Sequence, residues 1–183
     1  MDERKWIERI LAGDTQSFSC LVAKYEKMAY TIALRILENR EEAEEAVQDA
    51  FVKMYRALSD FHFDSKFSTW FYRIVYRTAL TALRQQRMFV SYEEAGPVDL
   101  SNDEVESATA LLEREDRKEM IARTLKKLPA DEALLLTLYY LEECSVEEIC
   151  QITELSASNV KVKLFRGRKR FYEVLQDIMK LDS

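Results

Sequence analysis

The chain is predicted to be all-α, with two small helical domains joined by a flexible acidic linker. Its 183 residues include only 3 Gly and 2 Pro, so few residues are available to form the tight turns that connect strands. Apolar residues recur at intervals of three and four along most of the chain, which is the period of an amphipathic helix. Residues 88–110 lose that period and contain no basic residue. They therefore divide an N-terminal domain at 1–87 from a C-terminal domain at 111–183.

The first two predicted helices are interpreted as scaffold. A short helix over residues 2–12 should stop at Gly13, and Asp14 or Thr15 should cap the long helix that follows. That long helix has apolar residues at helical spacing, and we expect it to end at Asn39.

The next predicted helix, over residues 40–58, has two distinct surfaces. One is an apolar stripe, and the other contains Glu41, Glu44, Glu45, Gln48, Asp49, Val52, Lys53 and Arg56. Early acids and late bases suit the helix dipole, so the spacing alone favours an ordinary solvated helix. The alternative is a docking face for a basic or polar partner helix.

Residues 61–87 combine aromatic and basic side chains almost without acids. A helix capped by Ser68 or Thr69 would have apolar residues on two adjoining faces. Its remaining face would contain Trp70, Arg73, Arg77, Thr81 and Arg84. Such a face suits a nucleic-acid strand, with phosphates on the arginines and an unstacked base on the ring. The same sequence is equally consistent with an amphipathic helix that has Trp70 in the core and its arginines in solvent.

The C-terminal domain is predicted to end in a helix-turn-helix. Pro129 suits the first turn of a helix over residues 130–141. Ser145-Val146-Glu147-Glu148 is a capping box that opens a short helix, and Ser156 can cap a last helix over residues 157–179. Two helices joined by a tight turn, the second strongly basic, are typical of this DNA-binding motif.

The last predicted helix concentrates positive charge. Residues 161–170 include six bases and no acid, and Gly167 among them should permit close packing. The residues left for solvent or DNA include Ser158, Asn159, Lys161, Lys163, Phe165, Arg166 and Arg168. Bases also suit the C-terminal end of any helix. The capping box, the turn and the charge agree with one another, however, and together they predict DNA binding.

The overall charge argues against a DNA-binding protein that works alone. The formal net charge is −6, and setting aside those six bases leaves 21 bases against 33 acids, a balance of −12. Long-range repulsion would therefore oppose duplex binding by the free chain. A basic partner would remove this repulsion.

Catalysis, metal binding and membrane insertion find little support in the sequence. The only histidine, His62, is distant from the three cysteines and has no catalytic motif around it. There is no Gly-rich phosphate loop, no signal peptide and no apolar run of about 20 residues. We therefore expect no enzyme activity, no cofactor, no metal site and no membrane insertion, in a soluble cytoplasmic protein.

Three motifs in combination resemble the extracytoplasmic-function (ECF) branch of bacterial sigma factors, which are small transcription-initiation factors. The motifs are EEAVQDAFVKMYRAL, then FSTWFYRI, then LPADEALLLTLYYLEECSVEEICQITELSASNVKVKLFRGRKRF after the linker. The resemblance covers roughly residues 10–175. A helix-turn-helix alone is common, whereas FSTWFYRI at this distance from Gln-Asp-Ala-Phe is not.

The resemblance implies partners for each region, with the free chain a monomer. The clamp coiled coil of the largest subunit of core RNA polymerase would be contacted by Glu45, Gln48, Asp49, Phe51 and Val52, and the polymerase flap region would be a further contact. The −10 promoter element would be opened, and a non-template base captured, by Phe61, Phe63, Lys66, Phe67, Ser68, Thr69, Trp70, Arg73, Arg77 and Arg84. The last helix would read the −35 duplex. Similar proteins thread the linker toward the polymerase active-site channel, and they often have an anti-sigma partner.

Two other functions stay open on the sequence alone. One is a stand-alone, dimeric helix-turn-helix regulator whose N-terminal half senses or dimerises, and the other is an interaction protein with no DNA role. Arg77, Thr81 and Val162 depart from residues that are common among ECF relatives. These departures leave the base-by-base readout open.

Overall fold

The N-terminal part of the chain folds as four helices. The computed structural model describes the backbone of residues 3–90 and 112–181, and the side chains of residues 3–85 and 118–180. Its first part contains α1 (Glu3–Leu11), α2 (Thr15–Leu37), α3 (Arg40–Arg56) and α4 (Phe67–Val90), with a 3-10 turn at Leu58–Asp60. No strand occurs within the described ranges, and the all-α prediction is confirmed. Residues 91–110 of the predicted linker lie outside the described residues.

The helix starts follow side-chain caps, with two differences from expectation. Asp14 caps α2 by accepting a hydrogen bond from the Gln16 N–H at 3.0 Å. Asn39 was expected to end α2, but it caps α3 instead, accepting from the Glu42 N–H at 3.1 Å. Helix α4 begins at Phe67, ahead of the caps expected at positions 68 and 69.

Helix α4 packs against both α2 and α3. Phe71 and Val75 on α4 are fully buried. The Phe71 ring centroid lies 4.8 Å from that of Phe51 on α3 and 6.0 Å from that of Tyr25 on α2. This aromatic contact fixes the rotation of α4, and with it the direction of every other α4 side chain.

The C-terminal part contains the predicted helix-turn-helix. Its helices are α5 (Leu112–Lys126), α6 (Ala130–Leu136), α7 (Val146–Thr153) and α8 (Ala157–Leu181). The capping box is present, because Ser145 Oγ accepts from the Glu148 N–H and a Glu148 carboxylate oxygen accepts from the Ser145 N–H. The helix predicted over residues 130–141 is α-helical only to Leu136. A π-helical turn at Thr137–Leu141 follows, and this wider turn leaves Tyr139, Tyr140 and Leu141 exposed.

The two parts contact each other directly. Helix α4 packs along α7, and α2 packs on α6. The partly buried Arg35 of α2 donates a hydrogen bond to the Leu125 carbonyl of α5 at 3.2 Å. The sequence did not predict these contacts between domains.

Gly167 lies where α8 passes α6. A Cβ at this position would be 3.3 Å from the Glu132 Cβ and 3.3 Å from the Leu136 Cδ1. The predicted close packing at Gly167 is confirmed, and α8 sits closer to α6 than a larger side chain would allow.

Replacing Gly167 with Val should lower the free energy of unfolding by about 1–3 kcal/mol, because the added methyl groups overpack the contact with α6. Urea denaturation of the full chain, followed by circular dichroism, measures this loss. The matched control is Lys169→Val, which places the same side chain on an exposed position of the same helix. It should cost only a few tenths of a kcal/mol. Equal losses in the two variants would contradict a close contact at Gly167.

Candidate nucleic-acid and protein-binding surfaces

The polar face of α3 is open to solvent. Glu45, Gln48 and Asp49 are exposed, and Val52 keeps 47% of its surface. Tyr55, three residues further on, is 48% exposed and extends this face with a second apolar side chain. Tyr55 is not among the residues predicted for this face, although its spacing from Val52 was the available signal.

Phe51, the fifth residue assigned to this surface, lies elsewhere. It is 8% exposed and packs in the core against Phe71 and Phe18. Phe51 therefore lies beneath the exposed face of α3 and does not form part of it.

Aromatic rings cluster at the turn that leads into α4. The Phe61 centroid lies 4.7 Å from that of Phe63, 5.4 Å from that of Phe67 and 5.0 Å from that of Trp70. Phe61 and Phe67 are buried, Phe63 is partly exposed, and Trp70 is half-buried. Trp70 is therefore neither wholly in the core nor wholly exposed, since the ring packs on its neighbours and still reaches the surface.

Phe63 is held in an unusual backbone conformation. Its φ is 62°, in the left-handed region that a bulky residue rarely adopts. The guanidinium carbon of Arg4 lies 4.5 Å from the centre of its ring, a cation–π contact. Arg4 belongs to α1, far away in the sequence, and no local pattern pointed to it.

Three of the basic residues assigned to DNA contact acids of the C-terminal domain instead. Lys66 Nζ lies 3.0 Å from a Glu148 carboxylate oxygen. Arg73 Nη2 lies 3.3 Å, and Arg77 Nε 3.0 Å, from one Glu154 carboxylate oxygen. The hydrogen bond from Arg77 is the main cause that holds the pKa of Glu154 below its usual range. The hydrogen bond and the charge of Glu148 raise the pKa of Lys66. Both groups are charged at neutral pH, and each pKa shift is a consequence of the pairing.

The other residues assigned to the same surface differ in accessibility. Thr69 is 2% exposed, and its hydroxyl lies 3.4 Å from a Glu148 carboxylate oxygen. Ser68 is half-buried, and Arg84 is exposed on a later turn of α4. In this arrangement, Arg84 is the most open of these three to a nucleic acid.

Helix α8 exposes most of the residues that the sequence assigns to DNA. The exposed residues are Ser158, Asn159, Lys161, Phe165, Arg166 and Arg168, and Phe165 keeps 65% of its surface. Lys163 is different, because its ammonium pairs with the Asp131 carboxylate of α6. Arg170 likewise donates to Glu132 at 2.9 Å. These two bases attach α8 to α6, an arrangement that charge counting along α8 could not reveal.

An apolar groove lies between α5, the end of α6 and α8. Its volume is about 370 Å³, and its lining is almost entirely apolar. The lining residues are Ile121, Leu125, Leu136, Tyr140, Leu141, Arg168, Phe171, Tyr172 and Leu175. The groove could not be predicted from the sequence, because Tyr140 and Leu141 are placed there by a π-helical turn that the helical spacing did not indicate.

Side chains that could hold a metal do not come together in the described ranges. No group of three or more His, Cys, Asp or Glu residues is placed to hold an ion there. Cys20 is exposed, Cys150 is half-buried and Cys144 is buried, and none of them is in a disulfide. Burial raises the pKa of the Cys144 thiol to about 11, so this thiol is protonated at neutral pH. Within the described ranges, no helix is long and apolar enough to cross a membrane.

The sequence matches known families in both parts. Residues 21–88 match the family described as Sigma-70 region 2, and residues 118–171 match the family described as Sigma-70, region 4. The chain is 31% identical to the RNA polymerase sigma-H factor of Pseudomonas aeruginosa, over 97% of this chain and 96% of that protein. It is 29% identical to the ECF RNA polymerase sigma-E factor of Escherichia coli K12, over 95% of this chain and 94% of that protein.

Solved structures share the fold. One is the sigma factor RpoE in complex with the anti-sigma factor NepR from Bartonella quintana, with a TM-score of 0.70 and 18% identity over 88% of this chain and 98% of that one. Another is CnrH in complex with the cytosolic domain of CnrY, with a TM-score of 0.61 and 21% identity over 99% of each chain.

The fold and its exposed surfaces define a two-domain helical DNA-binding protein with a C-terminal helix-turn-helix. The chain belongs to the sigma-70 family of RNA polymerase sigma factors, in its ECF branch. The resemblance based on three sequence motifs is confirmed. The protein is a transcription initiation factor, a class distinct from classical enzymes.

Proposed function

We propose that this sigma factor joins core RNA polymerase in the cytoplasm as a monomer, and that separate helices contact the polymerase, the opened strand and the upstream duplex. The observation that supports this division is the packing of α3 on α4. Because of this packing, the exposed acidic face of α3 and the aromatic cluster before α4 keep fixed positions relative to each other. Polymerase bound to α3 and single-stranded DNA bound near α4 would then be held at a fixed distance and orientation.

Helix α3 would dock on the clamp coiled coil of the largest polymerase subunit. Glu45, Gln48 and Asp49 suit a basic or polar helix, and Val52 and Tyr55 supply apolar area beside them. A charged rim around apolar side chains is the usual composition of a transient protein interface.

The C-terminal domain would make two contacts. Its apolar groove suits an apolar segment of the polymerase flap region. Helix α8 would enter the major groove at the −35 element, with Phe165, Arg166 and Arg168 exposed toward the bases and phosphates. Lys163 would take part only after leaving Asp131.

Helix α4 and the turn before it would open the −10 element through binding alone. Unstacking costs a few kcal/mol per base, and stacking on an aromatic ring returns roughly 1–3 kcal/mol. Trp70 and Phe63 reach the surface here, and Arg84 can contact a phosphate. Neither nucleotide hydrolysis nor a cofactor is required. We include an anti-sigma protein among the proposed partners. In one solved structure of similar fold the sigma factor is bound to an anti-sigma factor, and in the other CnrH is bound to the cytosolic domain of CnrY.

Reversing two charges on α3 tests polymerase docking. Glu45→Lys together with Asp49→Lys should weaken the affinity for core polymerase about tenfold or more, because like charges would face a basic partner. Fluorescence anisotropy of the labelled chain titrated with core polymerase measures the dissociation constant. Glu26→Lys with Glu173→Lys changes the net charge equally at exposed positions outside α3 and should bind as the wild type does. Unchanged affinity in the α3 variant would remove these residues from the docking site, and indifference of the wild type to polymerase would favour a stand-alone regulator.

Removing the indole of Trp70 tests strand opening. Trp70→Ala should leave polymerase affinity unchanged and lower the open fraction of the promoter by about tenfold, which corresponds to a loss of about 1.4 kcal/mol of stacking. Permanganate reactivity of promoter thymines measures opening. Trp70→Phe keeps a ring for the neighbouring Phe61 and Phe67 and should restore part of the reactivity. Normal reactivity in Trp70→Ala would refute the role given to this helix.

A further inference from the structure

Helix α1 lies against the turn that leads into α4, although the two are far apart in the sequence. Its inner side packs on α2 through the buried Ile7 and Ile10, and it also contacts the 3-10 turn at Leu58–Asp60. Glu3 ties the start of the helix to α2, because its carboxylate accepts a hydrogen bond from the Tyr25 hydroxyl. The first turn of α1 is therefore held in place by contacts on both sides of it.

One side chain of that first turn reaches the aromatic cluster. The guanidinium carbon of Arg4 lies 4.5 Å from the centre of the Phe63 ring. A cation at this distance is attracted to the ring face and favours ring orientations that keep the contact. The Arg4 side chain is still 60% accessible, and its contact with Glu8, at 4.0 Å, is a solvated ion pair that contributes little. The guanidinium therefore contacts the ring and remains open to solvent at the same time.

Phe63 depends on such support. Its φ of 62° is a conformation that bulky residues rarely adopt and that persists only where surrounding contacts hold it. Two of those contacts are Arg4 and the Phe61 ring, whose centroid lies 4.7 Å away. With both in place, Phe63 keeps 38% of its surface exposed. Strained residues of this kind cluster at ligand-binding sites, and this one shows part of an aromatic ring to solvent.

Arg4 also differs from other bases near the cluster. Lys66, Arg73 and Arg77 are paired with carboxylates of the C-terminal domain. Arg4 instead lies over a ring. A positive charge beside an aromatic ring is the combination that single-stranded nucleic-acid sites use, with the ring against the base and the charge near the backbone.

We propose that Arg4 is a positioning residue for strand capture, and that α1 is thereby a third contributor to the −10 surface, beside α4 and the turn before it. Arg4 holds the Phe63 ring where an unpaired base of the non-template strand can stack on its exposed part. Phe63 contacts the DNA, and Arg4 acts through Phe63. This role rests on the proposed function, because it concerns the same aromatic cluster.

A double-mutant cycle in the complex with core polymerase tests this role. The four proteins are the wild type, Arg4→Gln, Phe63→Leu and the double variant, each bound to core polymerase on a promoter from which the wild type initiates. Permanganate reactivity of the promoter thymines measures the open fraction, and fluorescence anisotropy measures polymerase affinity. Lys5→Gln is the matched control, because it removes one charge from an exposed neighbouring position of α1. Arg4→Lys is a conservative variant that keeps the cation.

We expect Arg4→Gln to lower the open fraction about two- to fivefold at unchanged polymerase affinity, because the Phe63 ring loses its preferred orientation without the cation. In the Phe63→Leu background the same change should have little effect, since the ring through which Arg4 acts is absent. Lys5→Gln should open the promoter as the wild type does, and Arg4→Lys should retain most of the opening.

Equal losses from Arg4→Gln in the two backgrounds would overturn the proposal, because Arg4 would then act without Phe63. A loss that only follows weaker polymerase binding or a lower urea midpoint would also overturn it, since Arg4 would then serve stability alone. So would an equally large loss in Lys5→Gln.

Failure of the proposed function would be seen separately. Trp70→Ala, measured on the same promoter, tests the role of α4 and does not depend on Arg4. Impaired opening in Trp70→Ala together with normal opening in Arg4→Gln would overturn the role of Arg4 alone. Normal opening in both would refute the proposed function as well.

Discussion

The burial of Phe71 between α2 and α3 is the contact on which the rest of the molecule depends. Its side chain has no exposed surface, and its ring packs on Phe51 and Tyr25. Loss of a buried aromatic ring of this kind typically costs 3–5 kcal/mol. Because successive side chains of a helix point in fixed relative directions, this one contact also orients Trp70 toward the aromatic turn and Arg77 toward α7. A rotation of α4 about its axis would move Trp70 and Arg77 away from these neighbours at the same time.

Charge determines when those surfaces become available. The chain has a net charge of −6, and Lys66, Arg73 and Arg77 are paired with acids of the C-terminal domain. The basic face of α8 remains open, yet long-range repulsion from the rest of the chain opposes its approach to a duplex. We therefore expect the free chain to have little affinity for DNA, and to gain affinity when a positively charged partner adds attraction.

Local features were predictable from the sequence, and contacts between distant segments were not. The Ser145 capping box, the exposed row on α3 and the helix-turn-helix follow from spacing and cap chemistry over a few residues. The burial of Phe51, the pairing of Lys163 with Asp131 and the contact of α4 with α7 depend on which helices meet. A helical period shows which face is apolar, but it does not show which partner covers that face. For this reason the sequence could propose binding residues as a set, but it could not predict how accessible each of them is.

The division of labour among α3, α4 and α8 can be observed directly by cryo-electron microscopy of this chain bound to core polymerase on an opened promoter. We expect α3 against the clamp coiled coil, α8 in the upstream major groove, and an unstacked non-template base beside Trp70, with α7 separated from α4. An open complex in which α4 still lies against α7, with the melted strand elsewhere, would contradict this division.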